Sequence, residues 1–229
     1  MPTAPDLLND DGSASMATAL LMSHHGFRRD LARFAIALPR VLAGDRSKAE
    51  ALAAEWKRFH DTLHGHHNAE DQGLFPHVAA QHAELAAVIA GLTADHRRID
   101  PLLDQGDEAF ADIGAKAGNA AAVVTELATL LDAHLATEEA HVVPFIRAAK
   151  GFPPPATDAE VALYADGFAW ASDGIAPEVL AKLDAMLPET VTAKLPGARA
   201  AFAERRLRVW GSTPTGASLT AVPDWLAAK

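Results

Sequence analysis

Apolar residues recur at three- and four-residue steps over most of this chain, the period of helices that bury one face. From Ser15, the stripe Leu20, Leu21, Phe27, Leu31, Phe34 and Leu38 predicts a first helix closed by Pro39 and Gly44. A second is expected from near Ser47 through Leu52, Trp56, Phe59 and Leu63 to Pro76. A third starts near Glu84 and carries Val88, Leu92, Ile99 and Leu103. A fourth spans about Asn119 to Lys150 through Leu127, Leu131, Leu135 and Phe145. Sustained alternation of apolar and polar positions is missing, so no strands are expected. Four long helices with short connections predict an all-α, up-down-up-down four-helix bundle.

The triple proline at 153–155 cannot continue a helix and marks a break. Beyond it, three shorter helices are expected. One runs from Thr157 or Asp158 to Ala171, one from Pro177 to Leu187, and one from Gly197 to Trp210. Residues 1–13 are polar and acidic and read as a disordered lead-in. The tail from Gly211 to Lys229 reads as extended, with Trp225 and Leu226 available to tuck it back. The expected division is therefore 1–13, a bundle over 14–150 and a smaller helical extension over 151–229.

The second and fourth helices share a repeat. His66-His-Asn-Ala-Glu70-Asp-Gln-Gly-Leu-Phe-Pro76 aligns with His134-Leu-Ala-Thr-Glu138-Glu-Ala-His-Val-Val-Pro144. Both read His-x3-Glu-[Asp/Glu]-x4-Pro. Positions i and i+4 share a helix face, so each helix can send one imidazole and one carboxylate inward. The first and third helices repeat more weakly: His24 and His96 have apolar residues at the same offsets, four before and three and seven after. The offsets favour His24 over its neighbour His25 without excluding it, and His25 then falls on the solvent side or next to the ligands.

Composition narrows the chemistry. Among 229 residues there are 11 histidines and no cysteine. That excludes disulfides, thiolate nucleophiles, zinc fingers and Cys-ligated iron–sulfur clusters. A metal site here must be built from imidazole and carboxylate, donors that suit iron, manganese or zinc. Six such groups converging in an apolar core are costly unless paired or bound to a cation. The net charge of −10, with 30 acidic against 20 basic residues, argues against nucleic acid as a partner. No apolar run reaches ~18 residues, so no membrane span is expected. The polar N-terminus lacks an export signal, which makes a cytoplasmic location the expectation.

The repeat, with His24 and His96, resembles the hemerythrin-like family of HHE cation-binding domains over about residues 15–150. That resemblance implies a bundle holding a non-haem di-iron centre, two Fe ions joined by an oxo or hydroxo bridge. It implies Glu70 and Glu138 as bridging carboxylates, with His24 and His66 on one iron and His96 and His134 on the other. Residues 151–229 look like the helical extension of some bacterial members. One position departs from the oxygen carriers of the family, which place two histidines a turn apart on the third helix. Here Leu92 stands four before His96. A more symmetric four-histidine site is then expected, which counts against reversible oxygen carriage.

Four functions stay open at this point. The centre binds or senses O2 or a related small oxidant; it is an oxidoreductase acting on hydrogen peroxide or nitric oxide; it stores or responds to iron; or the chain is a helical interaction module with a vestigial site. Its partner is a small diatomic ligand or peroxide in the first two, and any protein partner of the extension is open. Ferritin-like di-iron oxidases fit less well, since they use Glu-x-x-His pairs and more carboxylates. His60, His64, His67 and Asp71 form a competing stripe on the second helix. Because His67 aligns with Leu135, these histidines are assigned to a partly solvated neighbouring face, from which they can still support the ligands. His77, His82 and His141 are expected to be exposed, and Arg28, Arg29, Arg97 and Arg98 to be solvated charge. Trp170, Trp210 and Trp225 are expected to pack the extension.

Overall fold

The computed structural model describes residues 6–41, 46–149, 152 and 154–211. The described residues are mainly helical, with no strand among them. They group into two compact units, Phe27–Val142 and Met1–Gly26 with Val143–Lys229. These units follow contacts and so differ from the sequence division at the prolines.

The unit Phe27–Val142 is the bundle. It contains the C-terminal half of α1 (Met16–Ala37), α2 (Arg46–Ala69), α4 (Ala86–Ala111) and α5 (Ile113–His141). Pro76 does not end the second helix as expected. A π turn, Glu70–Leu74, carries α2 into α3 (Phe75–Gln81), and Pro76 falls in the first turn of α3. There its missing N–H breaks no helical bond. The start of α5 precedes the expected Asn119, but Lys116 has non-helical φ/ψ of −113° and 20°. The regular part of the helix therefore begins close to where the apolar period does.

One end of the bundle core is aromatic. Trp56 stacks on Phe110 with centroids 4.5 Å apart and planes 7° apart, and Phe34 meets Phe110 edge-on at 5.2 Å. The Trp56 indole lies across Gly106 of α4, where a Cβ would run into the ring. Its Nε1–H donates to Asp107 Oδ1 at 2.9 Å. By helix rise, the histidines at the end of α2 lie about three turns further along.

Arg29 and Arg33 are buried, each bonded to the buried carboxylate of Asp30 (2.9 and 3.1 Å). The expectation of solvated charge is thus corrected for Arg29, whereas Arg97 and Arg98 are exposed. Helical position alone does not separate these cases, because a charged side chain stays buried when an opposite charge lies beside it.

In the other unit, residues 6–13 hold a turn rather than the expected disordered lead-in. Gly12 N–H donates to Asn9 O, Leu7 is buried, and Thr18 Oγ1–H donates to Leu7 O at 2.7 Å. Arg147 reaches three backbone or side-chain oxygens of residues 6–9. After α6 (Val143–Ile146) come α7 (Asp158–Ala171), α8 (Pro177–Asp184), α9 (Glu189–Thr192) and α10 (Leu195–Trp210). Thr157 caps α7 by accepting the Glu160 N–H, as an N-cap threonine should. Val161, Ala165, Leu187, Val191 and Leu195 form the core there. Trp170 packs its ring against Gly26. The tail with Trp225 and Leu226 lies outside the described residues.

α5 is the one described helix long and apolar enough, by composition, to cross a membrane. The same apolar side, Val124, Leu127 and Leu131, lines the bundle core, so the property has a plain structural use.

Candidate metal centre

The end of α2 and the π turn after it deliver most of the site. His66 and Glu70 sit one turn apart, with Nε2 and Oε1 at 2.7 Å. A π turn takes one more residue per hydrogen bond than an α turn and commonly marks a functional position. On this one, Asp71 reaches α4. Its Oδ2 lies 3.0 Å from His96 Nδ1, and its Oδ1 accepts from Thr93 Oγ1–H at 3.0 Å. α5 contributes His134 and Glu138, both fully buried.

These residues cluster in two overlapping sets. His67, Glu70, His96 and His134 each offer an atom within 4.8 Å of the others, and His66, Glu70 and Glu138 do the same. Glu70 belongs to both. Of the residues singled out in sequence, the structure thus brings together His66, Glu70, His96, His134 and Glu138. His24 is fully buried on α1, in the other compact unit.

His67 is the correction. It is 3 % exposed rather than part of a solvated face. Its ring stacks on His96 with centroids 4.0 Å apart and planes 13° apart, and lies 5.4 Å from that of His134. The signal that would have found it was already in the repeat. Its counterpart Leu135 binds nothing, but Leu135 is also fully buried. An apolar residue at the aligned position marks that position as inward, and a histidine placed there points into the core. The neighbouring face starts elsewhere: His60 is half-buried, and His64 is exposed.

Two further expectations change. His25 is buried, with Nε2 3.2 Å from the Asp173 carbonyl oxygen, and so is not on the solvent side. Arg28 is held by two carboxylates, donating to Asp132 at 2.7 Å and to Glu139 at 2.5 Å. Glu139 is the repeat counterpart of Asp71. His77 and His141 are exposed and His82 is partly so.

The electrostatics separate two stacked rings. Burial, aided by repulsion from His96 and His66, pushes His67 down to about 2. Burial also acts downward on His96, but the carboxylates of Glu70 and Asp71 outweigh it and hold His96 above the usual imidazole range. The signs give a pH optimum for the metal-free chain. A depressed His67 contributes stability that is lost as pH falls below its unfolded value of about 6.5. The His96 contribution is complete below that same value and is lost only as pH rises through its raised folded value. As pH falls below about 6.5, keeping the buried His67 ring neutral therefore lowers stability. Urea unfolding midpoints of the metal-free protein between pH 7 and 5 are expected to fall accordingly; a flat profile would mean that His67 is not held neutral.

A cation fits this donor set. Both ring nitrogens of His67, and Nε2 of His96, are shielded from solvent and make no hydrogen bond among the described residues. Glu70 Oε2 stands 3.4 Å from His96 Nε2, within ion-pair range only. Each unsatisfied buried polar atom costs roughly 1–3 kcal/mol, which a cation accepting the imidazole lone pairs would offset. With Nδ1–H donating to Asp71, the neutral His96 ring has its lone pair at Nε2, the arrangement by which carboxylates orient metal-binding histidines. Asp71→Asn keeps the shape and removes the charge. Metal affinity, read by competition with a chelator, is expected to drop about 10–100-fold with the helical content unchanged.

The family model of the Hemerythrin HHE cation binding domain matches residues 15–146. Neither the curated proteins nor the solved structures yield a match.

Proposed function

The chain belongs to the hemerythrin family of HHE cation-binding domains, and we propose that it is a non-haem di-iron protein that binds or senses O2 or a related small oxidant. What supports this reading is His67. With His96 and His134 it offers three imidazoles to one metal position, leaving His66 and His24 for the other. Glu70 and Glu138 would bridge the two. His24 takes its place by the family's pattern, in which the first helix supplies a single histidine. Leu92 then removes no ligand from the centre, because α2 supplies the imidazole that the third helix lacks. An unequal pair, three imidazoles against two, is the asymmetry that the four-histidine arrangement was missing.

Bound iron would supply the redox equivalents and the binding of the small oxidant. The chain does the rest. Asp71 fixes the His96 tautomer, Phe75 stacks on the outer face of His96 at 5.7 Å, and Phe27 covers His66. These rings limit water around the donors, which strengthens the electrostatic interactions inside. A cytoplasmic location remains part of this proposal.

Metal analysis and absorption spectra test it. About two irons per chain are expected, with a spectrum that changes reversibly when the reduced protein meets O2. Sustained consumption of hydrogen peroxide or nitric oxide would select the oxidoreductase instead. Release of many irons per chain would select storage, and a chain that retains no metal would end the reading altogether.

A further inference from the structure

The stripe on α2 that continues outward from His67 carries two more histidines, and α4 carries two aspartates against them. His60 and His64 stand one turn apart on one face of α2, the spacing at which a pair of imidazoles can hold one cation. His60 Nδ1 lies 3.0 Å from Asp107 Oδ1. That same oxygen accepts the Trp56 indole N–H, which anchors the carboxylate to the aromatic core. His64 Nδ1 lies 3.8 Å from Asp100 Oδ1, an oxygen shielded from solvent that accepts no hydrogen bond among the described residues. The two rings are 6.3 Å apart and edge-to-face.

We propose that His60 and His64, backed by Asp107 and Asp100, form a second site for a divalent transition cation such as Zn2+, at the surface between α2 and α4. Its construction repeats that of the buried cluster with the helices exchanged. In the cluster an aspartate of the π turn that continues α2, Asp71, faces Nδ1 of an α4 histidine, His96. Eleven residues away along each helix, an α4 aspartate, Asp107, holds Nδ1 of an α2 histidine, His60. In both, a neutral ring whose Nδ1–H donates to the carboxylate keeps its lone pair at Nε2 for a cation. Two imidazoles favour a transition metal over calcium or magnesium, which take oxygen donors. Helix-to-helix ion pairing alone would explain one histidine beside one aspartate. It does not call for two imidazoles one turn apart on the same helix face, each beside a carboxylate of α4.

The full-length, iron-free chain is labelled with an imidazole-acylating reagent, with and without Zn2+, and modification is read residue by residue. His60 and His64 are expected to be protected by Zn2+, while the exposed His77 and His141 label at unchanged rates. In equilibrium dialysis, His60→Ala/His64→Ala is expected to bind about one Zn2+ fewer than wild type. Equal labelling of His60 and His64 under saturating Zn2+, or equal stoichiometry in the double variant, overturns the site. Labelling is read on the wild-type chain, so a variant that fails to fold does not blur the result. Neither histidine belongs to the buried cluster, so failure there leaves this readout standing.

Discussion

Replacing His67 by leucine is expected to move metal binding and metal-free stability in opposite directions. Leucine is what the repeat itself places at the corresponding position of α5, and it fills a similar volume. Without the imidazole, the set formed with His96 and His134 loses a donor, and iron per chain should fall by about one. In the metal-free chain the same change removes two buried ring nitrogens that make no hydrogen bond among the described residues. Burying such groups costs roughly 1–3 kcal/mol, so the metal-free variant should gain about that much. At roughly 2–4 °C per kcal/mol for a chain of this size, calorimetry resolves the change. The acid-side slope should also flatten, because the group that must stay neutral is gone. A leucine variant that melts lower without metal would show that His67 is held by polar partners, and the metal reading of this position would lose its support.

Gly106→Ala is expected to be the most damaging small substitution in the bundle. Within an exposed stretch of helix, alanine is favoured over glycine by about 1 kcal/mol. Here the added Cβ would enter the space of the Trp56 ring, a rigid group pinned between its stack on Phe110 and its bond to Asp107. Overpacking of this kind costs typically about 1–3 kcal/mol, occasionally more. Propensity and packing therefore oppose each other, and packing should win by up to about 2 kcal/mol. Gly91→Ala, on the same helix with nothing near its Cβ position, supplies the control and should stabilise by roughly 0.5–1 kcal/mol. Denaturant midpoints of the two variants are expected to shift in opposite directions. Equal shifts would mean that Trp56 can swing away, and that the aromatic layer is not a fixed support for the site.

How much of this was legible beforehand depended on the kind of interaction. Apolar period and proline placement located every long helix, because a helix needs only its own backbone bonds and one buried stripe. The repeat located His66, Glu70, His134 and Glu138, because i and i+4 share a face whatever surrounds the helix. Pro76 misled as a terminus, since proline is compatible with a first turn and the π turn that creates one has no simple sequence mark. Arg29 and His25 misled in the same way: their burial depends on Asp30 and on the Asp173 carbonyl, groups whose nearness or orientation only folding sets.

The sequence by itself determined an all-α chain, a repeated imidazole–carboxylate motif free of thiolate chemistry, and the family to which the chain belongs. Only the tertiary structure decided that His67 points inward, that Asp71 orients His96, and that His60 and His64 face aspartates of α4. The reason is that helical phase ranks positions around one axis, whereas the boundary between buried and exposed is drawn by neighbouring helices. At the end of α2 that boundary leaves two adjacent residues, His66 and His67, among the cluster residues, a width that one helix cannot specify alone.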